Sequence, residues 1–334
     1  MILADSVLSG DRLSLTRLLS QVENETPEGI AALEVLFPHT GRAHLIGVTG
    51  APGSGKSSLV NQLVLQYRRT TEMRVAVIAV DPTSPFTGGA ILGDRVRMRD
   101  LAGDPKVFIR SMASRGSLSG VAHATAFMAQ VLDAADFDII IIETVGAGQA
   151  EVDIARLAHT TLVVETPGMG DDIQAIKAGI LEIADILVIN KADQAGVEHT
   201  ESALRSMLEL AHPVEHVFQH HEQSMKIGVH TPTEGDHVWV PPIVRTVALD
   251  GTGIPELIKA VSCHLEHLRT SGDWVHRERV RLESELSSLI QETLQRKFRA
   301  SISMERYEDL VTKVLERKVS PWQAMKILLN GDGT

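Results

Sequence analysis

The residues best suited to chemistry form a glycine-rich run, Gly50-Ala51-Pro52-Gly53-Ser54-Gly55-Lys56-Ser57, with the spacing G-x-x-x-x-G-K-[ST]. Between a strand and a helix, such a run forms a loop whose backbone N–H groups cradle phosphate oxygens, and the helix N-terminus adds positive partial charge. Lys56 is expected to reach the β- and γ-phosphates, and Ser57 to bind Mg²⁺. We therefore predict a nucleotide site made by residues 50–57 together with Ser58.

Carboxylates for the metal are expected at the carboxyl ends of strands, where parallel sheets bind ligands. Asp81 ends one predicted strand, and Glu143 ends the run Ile139–Ile142. Asp94 lies in a glycine-rich segment, so its place follows less directly from the strands. An acid at a strand end can also serve as a loop carboxylate or a helix cap. The pairing of Asp81 with Glu143 favours the metal, because hard oxygen ligands suit Mg²⁺.

The sequence Asn190-Lys191-Ala192-Asp193 closes a later strand and fits N-K-x-D, a guanine-reading motif. An Asp carboxylate accepts hydrogen bonds from N1–H and the 2-amino group of guanine, and adenine offers neither donor in that arrangement. The Lys191 stem can cover the base, and Asn190 can tie this loop to the phosphate loop. Backbone N–H groups after the next strand are expected to meet the guanine O6, at Val247, Ala248 and Leu249. The motif predicts GTP in preference to ATP.

The elements that must position these motifs alternate along the chain. Near-continuous apolar runs, separated by helical stretches, predict βαβ units and a doubly wound, mostly parallel sheet covered on both faces, the α/β fold of P-loop NTPases. The runs are 44–49, 74–80, 138–143, 161–165, 185–190 and 243–248. Helical patterns precede and follow them, with Thr26 as an N-cap before Pro27 and apolar residues every four positions from Leu282 to Phe298. We predict an N-terminal helical extension (1–40), a P-loop domain (41–270) and a C-terminal helical arm (271–334).

Composition narrows the partners and the location. The net charge is −11 at pH 7, which disfavours nucleic-acid binding, because such proteins carry a basic surplus. One cysteine, Cys263, permits no intramolecular disulfide, which fits a reducing compartment, and it is predicted to be a small buried residue. We see no basic n-region with an apolar stretch and no run of membrane-spanning length. The expected location is the cytoplasm, without a membrane.

Taken together, six segments resemble the MeaB/ArgK/MMAA group, the methylmalonyl-CoA mutase-associated GTPases of the SIMIBI class. They are Gly50–Ser58, 80–85, 88–98, Arg110–Gly116, Glu143–Gln149 and Asn190–Asp193. The similarity extends over essentially the whole chain, and 80–98 is far more specific than the phosphate loop alone. The sequence departs from the group's pattern at Ser119 and Ala147, where glycine and valine are usual.

The resemblance implies a GTPase chaperone of an adenosylcobalamin-dependent acyl-CoA mutase, with methylmalonyl-CoA mutase as the first candidate. Such a chaperone gates delivery of the cofactor and protects the mutase from inactivation. The resemblance also implies a homodimer formed through the C-terminal helices, and a Mg²⁺ neighbourhood of Ser57, Asp81, Asp94 and Glu143. The segment Thr166–Lys177 is implied to couple the nucleotide state to the mutase, and its glycines permit large backbone changes.

For the expected hydrolysis of GTP to GDP, the sequence lacks a glutamine at the position where small GTPases carry one. Small GTPases carry a water-orienting glutamine directly after the D-x-x-G glycine, whereas here Ala147 follows Glu143-Thr144-Val145-Gly146. We therefore expect slow intrinsic turnover that rises when a partner orders the switch segments. Candidates for positioning water or charge, besides Lys56 on the phosphates, are Asp94, Glu143, Gln149 and Lys177.

Two alternatives come from other functional classes. One is an ATP- or GTP-dependent kinase associated with arginine/ornithine (LAO/AO) transport, against which the N-K-x-D motif argues. The other is a nickel-insertion metallochaperone, which would usually carry a His- or Cys-rich tract with ligand spacing. The histidines between 212 and 237 match no such spacing, so we interpret them as loop histidines.

Overall fold

The computed structural model describes residues 3–81, 101, 103–113, 118–144, 156–168, 183–211 and 239–330. In that part, one sheet contains the strands β1 His44–Gly50, β2 Val75–Asp81, β3 Val107–Ala113, β4 Ile139–Glu143, β5 Thr160–Glu165, β6 Ile186–Ile189 and β7 Ile243–Arg245. Their order is β3-β2-β4-β1-β5-β6-β7, and every neighbouring pair is parallel. The predicted doubly wound α/β fold is therefore confirmed.

The strand pattern places the predicted motifs at one edge of the sheet. β1 lies between β4 and β5, and all three are built almost entirely from buried residues. Val48 pairs with Glu143 on one side, and Gly50 pairs with Val164 on the other. The carboxyl ends of these strands therefore meet, at the point where the chain changes from one side of β1 to the other. Ligands of open α/β sheets bind at such a point.

Two strands differ from their sequence-based expectation. β3 was missed, because Arg110 and Ser111 interrupt its apolar run; the Arg110 guanidinium instead donates to Glu23 Oε2 at 2.6 Å and to Ser20 Oγ at 3.1 Å. β7 ends at Arg245 and not at 248, because the chain turns back there. Val247 forms an isolated bridge to Thr252 within that turn.

The helices of the described part are α1 Leu3–Leu8, α2 Arg12–Glu23, α3 Pro27–Leu36, α4 Lys56–Thr70, α5 Leu118–Ala134, α6 Val197–Ala211, α7 Ile254–Ser271, α8 Asp273–Ser301, α9 Met304–Leu315 and α10 Pro321–Asn330. Thr26 caps α3 by accepting a hydrogen bond from the Gly29 N–H at 3.1 Å, with Pro27 in the first turn. This confirms the predicted start of that helix. None of the described helices is long and apolar enough to cross a membrane.

The chain divides into two compact units, Met1–Arg281 and Leu282–Thr334. In the first, α4 and α7 pack on the sheet through buried residues such as Leu59, Leu63 and Leu257. In the second, α9 and α10 bury Leu310 and Ala324, and Arg306 donates to the Ile327 carbonyl at 2.9 Å. The three-part division predicted from the sequence (1–40, 41–270 and 271–334) stays a prediction.

The expectation that Cys263 is buried is wrong, because its thiol is exposed. α7 buries the face that carries Val261, His264 and Leu268, and Cys263 lies outside that face. The periodicity of the helix, and not the small size of cysteine, decides its exposure.

Candidate nucleotide site

The phosphate loop connects β1 to α4. At two of its positions a neighbouring group lies so close to the backbone that only glycine fits. Gly50 has φ 136°, and a Cβ on it would lie 2.1 Å from the Val164 carbonyl oxygen of β5. Gly55 has φ 88°, and a Cβ there would lie 2.5 Å from Asn190 Nδ2. Both φ values are ones that side chains rarely tolerate. Glycine at these positions lets the loop lie against β5 and against the base-reading loop at the same time.

The loop presents donors suited to an anion. Within the described part of the chain, the N–H groups of Gly53 and Gly55 have no hydrogen-bond partner. The ammonium group of Lys56 donates to the carbonyls of Gly50 at 2.8 Å and Ala51 at 2.9 Å, and the residue is only 6% exposed. Backbone N–H groups and a buried ammonium around one turn are the components of a phosphate cradle.

Ser57 and Glu143 form the most direct contact between the loop and a predicted metal ligand. The Ser57 hydroxyl donates to Glu143 Oε1 at 2.6 Å, and both residues are buried. The contact joins the first turn of α4 to the end of β4, and an oxygen-only pair of this kind fits Mg²⁺. Asp81 ends β2, which neighbours β4, but its side chain lies outside the described residues, as does all of Asp94.

Asn190 joins three loops at the end of β6. Its Nδ2 donates to the Ser54 carbonyl at 2.8 Å, as expected of a residue that ties the base loop to the phosphate loop. Its Oδ1 accepts from the Ala248 N–H at 3.1 Å and from the Thr246 hydroxyl at 3.3 Å. The residue is 1% exposed, so these bonds are shielded from water. One side chain therefore fixes the phosphate loop relative to the segment after β7.

Lys191 and Asp193 carry the groups that the sequence predicts to read the base. Lys191 adopts φ 57°, and its ammonium donates to the Gly53 carbonyl at 2.9 Å. Its stem thus extends from the base loop to the phosphate loop. Asp193 is exposed, and its carboxylate has no partner in the described part of the chain. It is available to accept two hydrogen bonds from a guanine edge.

The segment after β7 offers a single unpaired backbone donor among its three candidates. The Val247 N–H donates to the Thr252 carbonyl at 2.9 Å, and the Ala248 N–H is bound by Asn190. The Leu249 N–H has no partner among the described residues, and its side chain is 87% exposed. Of the three predicted contacts, Leu249 is thus the one whose N–H remains available for the guanine O6.

Other predicted residues lie elsewhere. Gln149 and Lys177 fall outside the described residues, as do the histidines between 212 and 237. Arg110, which begins the segment Arg110–Gly116, is mostly buried and paired with Glu23. The predicted coupling segment is described only from Thr166, which is buried, to Gly168. Sequence reasoning missed the Thr246 hydroxyl, whose role follows from its contact with Asn190.

Comparison with known proteins decides the family. The family model described as methylmalonyl-CoA mutase-associated GTPase MeaB matches residues 15–303. The chain belongs to the MeaB family. The Pyrococcus horikoshii protein PH0274, which carries a GTPase name, is 42% identical over 327 residues, covering 98% of this chain and 96% of that protein. GTPase ArgK of Escherichia coli is 37% identical, covering 79% of this chain and 75% of its own.

Two further relatives extend the comparison. The Caenorhabditis elegans protein named methylmalonic aciduria type A homolog, mitochondrial, is 30% identical and covers 80% of this chain and 66% of its own length. A crystal structure named LAO/AO transport system kinase superposes with a TM-score of 0.69 at 26% identity, covering 98% of this chain and 95% of that one. The resemblance seen in the sequence is thus confirmed, and the protein is a GTPase that binds GTP and GDP.

Proposed function

We propose that this GTPase is a chaperone of an adenosylcobalamin-dependent acyl-CoA mutase, with methylmalonyl-CoA mutase as the first candidate. It would gate delivery of the cofactor and protect the mutase from inactivation. Two findings support this proposal. The family description names association with that mutase, and the Caenorhabditis elegans relative carries the name of methylmalonic aciduria.

The observation that carries the nucleotide part of the proposal is the triple contact of Asn190. It connects the phosphate loop with the segment after β7. A guanine nucleotide bound there would therefore contact the phosphate loop with its phosphates and the segment after β7 with its base. In this proposal Asp193 accepts from the guanine edge, Lys191 covers the base, and the Leu249 N–H reads O6. Lys56 leaves the two carbonyls that it now contacts and binds the phosphates.

The proposed metal neighbourhood is Ser57, Asp81, Asp94 and Glu143. The buried oxygen pair of Ser57 and Glu143, 2.6 Å apart, supports a hard cation. When bound, Mg²⁺ would neutralise charge on the phosphate oxygens. Since Glu143 contacts Ser57, the other proposed metal ligand, it is better placed for holding the ion than for orienting water. We assign the water-positioning role to one of Asp94, Gln149 and Lys177.

Slow intrinsic turnover is part of the proposal, because Ala147 stands where small GTPases have their glutamine. Hydrolysis would then act as a timing step that accelerates when the mutase orders the switch segments. The coupling segment would begin at Thr166, two residues beyond Val164, which pairs with Gly50 of the phosphate loop.

We further propose a homodimer formed through the C-terminal helices, in the cytoplasm. α8 exposes an apolar row, and α9 exposes a second, which supports a protein-covered surface: Leu282, Leu286, Ile290 and Leu294, then Met304, Tyr307, Val311 and Leu315. A free, exposed Cys263 supports a reducing compartment. Light scattering at micromolar concentration tests the dimer, and a monomer there would contradict it.

A transport-linked kinase is the second candidate, favoured by the name of the superposed crystal structure. A kinase of this kind would be expected to use ATP and to transfer phosphate to a protein. The exposed Asp193 carboxylate disfavours adenine, which offers it no matching donors. Measuring hydrolysis and protein phosphorylation with labelled ATP and GTP in parallel separates the two candidates.

The decisive experiment titrates the purified protein against methylmalonyl-CoA mutase with GDP and with a non-hydrolysable GTP analogue. We expect binding whose affinity depends on the nucleotide and a rise in GTP turnover on adding the mutase. An Asp193→Asn variant, which should no longer recognise guanine, is the nucleotide-blind control. Glu198→Gln, which removes a nearby exposed charge on α6, is its matched control. Binding that ignores the nucleotide in every protein would contradict the proposal.

A further inference from the structure

A cluster of buried histidines and partly buried charged groups lies at the amino-terminal edge of the sheet, opposite the nucleotide site. We call it the amino-edge cluster, and it consists of His44, His159, Asp185, His264, Arg277 and Glu278. His44 begins β1, and His159 and Asp185 immediately precede β5 and β6. His264 comes from α7, and the last two residues come from the first turns of α8. None of these groups takes part in the proposed nucleotide chemistry.

Arg277 and Glu278 fasten α8 to the strands. The Arg277 guanidinium donates to both Asp185 oxygens, at 2.6 and 2.9 Å, and to the His159 carbonyl at 2.8 Å. Asp185 also accepts from the Thr161 N–H at 2.8 Å. Burial raises the pKa of Asp185, but the contacts from His264 and Arg277 outweigh burial and lower it overall. The carboxylate is therefore charged and already compensated.

His159 is held in one neutral tautomer. Its Nδ1 accepts from the Leu45 N–H at 3.0 Å, so the ring proton must be on Nε2, which donates to Glu278 Oε1 at 2.6 Å. The Trp274 ring of α8 packs against the imidazole at 3.9 Å between centroids. Burial lowers the pKa of His159, although Glu278 opposes that effect. A second proton, on Nδ1, would face the Leu45 N–H.

The other two histidines share a chain of hydrogen bonds with a consistent proton order. His264 Nε2 lies 3.2 Å from Asp185 Oδ1. With its proton on that side, His264 Nδ1 accepts from the Thr160 hydroxyl at 2.8 Å. The Thr160 oxygen in turn accepts from His44 Nε2 at 2.7 Å. Burial lowers the pKa of His44 to about 3.

We propose that the amino-edge cluster is a clasp that holds the first two turns of α8 on the sheet only while His44 and His159 are neutral, and that opens when these two histidines take up protons. The two carboxylates of the cluster are already compensated, so a further proton on a histidine would add an uncompensated charge. Asp185 and Glu278 are matched by Arg277 and Arg281. Among the described residues, further charged or titratable groups around the cluster are His267 and Arg269 of α7 and Asp273 of α8, of which His267 and Asp273 contact each other at 3.7 Å.

The sign of the pH effect follows from the neutral state of His44 and His159. A histidine that is neutral in the clasp titrates near its ordinary value of 6.5 once released, so the released form binds more protons below that pH. Clasp stability is then complete above about pH 6.5 and falls as the solution becomes more acidic. The contacts of Glu278 with His159 and Arg281 outweigh burial and lower its pKa from 4.5 to about 2. Protonation of Glu278 therefore reduces the stability of the clasp only below about pH 4.5. Between about pH 4.5 and about pH 6.5, the loss of clasp stability comes from His44 and His159.

Hydrogen exchange of the full-length protein, corrected for intrinsic rates, tests the clasp at about pH 7.5 and about pH 5.5. Each histidine that stays neutral should lower the protection of residues 273–281 by roughly tenfold over this interval. α4, which contributes no residue to the amino-edge cluster, serves as the internal reference. Equal protection of 273–281 at both pH values, or an equal loss in α4, would overturn the proposal.

Two substitutions identify the titrating groups. His159→Gln keeps a donor toward Glu278, and His44→Gln keeps a donor toward Thr160, but neither takes up a proton. In either variant, the loss of protection between the higher and the lower pH should be roughly tenfold smaller than in the wild type. His276→Gln, on the exposed face of α8, should behave as the wild type. If whichever of the two variants folds keeps the full acid loss, the histidines are not the switch.

Discussion

Asn190 Nδ2 lies 2.8 Å from the Ser54 carbonyl oxygen, and this bond connects two loops that are 136 residues apart in the chain. It depends on Gly55, because a Cβ at that position would occupy the place of the amide. The phosphate loop and the base loop are therefore shaped for each other. Nucleotide affinity should depend on this contact as strongly as on residues that touch the ligand.

Replacement of Asn190 by alanine tests that dependence. Three buried partners lose a hydrogen bond, namely the Ser54 carbonyl, the Ala248 N–H and the Thr246 hydroxyl. Since an unsatisfied buried group costs about 1–3 kcal/mol, we expect the free energy of unfolding to fall by about 3 kcal/mol and GTP binding to weaken at least about tenfold. Urea denaturation and calorimetry measure the two effects. Asn24→Ala, at an exposed helix end, should cost less than about 1 kcal/mol.

An Asp193→Asn substitution should change which base is bound. The asparagine amide can donate where the carboxylate only accepts, so it suits xanthine, which has a carbonyl in place of the 2-amino group of guanine. We expect GTP affinity to fall roughly a hundredfold, because two hydrogen bonds to a charged group are lost. Competition between GTP and xanthosine triphosphate measures the change. An unchanged preference for GTP would show that Asp193 does not read the base.

Leu249 allows a backbone test of O6 recognition. Leu249→Pro removes the N–H, whereas Leu249→Ala keeps it and removes only the exposed side chain. Because the loss is one neutral hydrogen bond, we expect GTP affinity to fall about threefold to tenfold in the proline variant. Inosine triphosphate, which also carries O6, should weaken equally. A larger loss in the alanine variant than in the proline variant would assign the contact to the side chain.

How much of this molecule follows from its sequence depends on how local the signal is. Six strands, the phosphate loop and the cap at Thr26 are each encoded within a few consecutive residues, and all were predicted. β3 was missed because the partner that makes Arg110 acceptable in a strand, Glu23, lies 87 residues away. Its pattern reads as polar until that partner is known.

The amino-edge cluster illustrates the same limit. A polar residue begins or precedes each of β1, β5 and β6, namely His44, His159 and Asp185. That regularity could have marked the edge as unusual for an apolar sheet. The partners of these residues come from α7 and α8, however. A sequence does not indicate that His159 contacts Glu278, which lies 119 residues later in the chain. Only the folded chain brings them together.

Glu143→Gln should separate metal binding from nucleotide binding. The glutamine carbonyl can still accept from the Ser57 hydroxyl, so the fold of the loop is retained, but the charge that would favour a divalent ion is lost. We expect the Mg²⁺ concentration needed for half-maximal hydrolysis to rise at least about tenfold, with GTP binding weakened less. A magnesium titration of single-turnover hydrolysis measures this. Glu209→Gln, on the exposed face of α6, is the control, and equal behaviour of both variants would contradict the metal role.

Arg110 and Glu23 provide a test of how α2 is held against the edge strand β3. Their side chains are 16% and 13% exposed and 2.6 Å apart, so removing one partner leaves a poorly solvated charge. A double-mutant cycle with Arg110→Gln and Glu23→Gln should give a coupling of about 2 kcal/mol in urea denaturation. The pair Arg42 and Asp136, also 2.6 Å apart but 62% and 58% exposed, should give less than about 1 kcal/mol with Arg42→Gln and Asp136→Asn. Equal coupling energies in the two cycles would show that burial does not decide the strength of the pair.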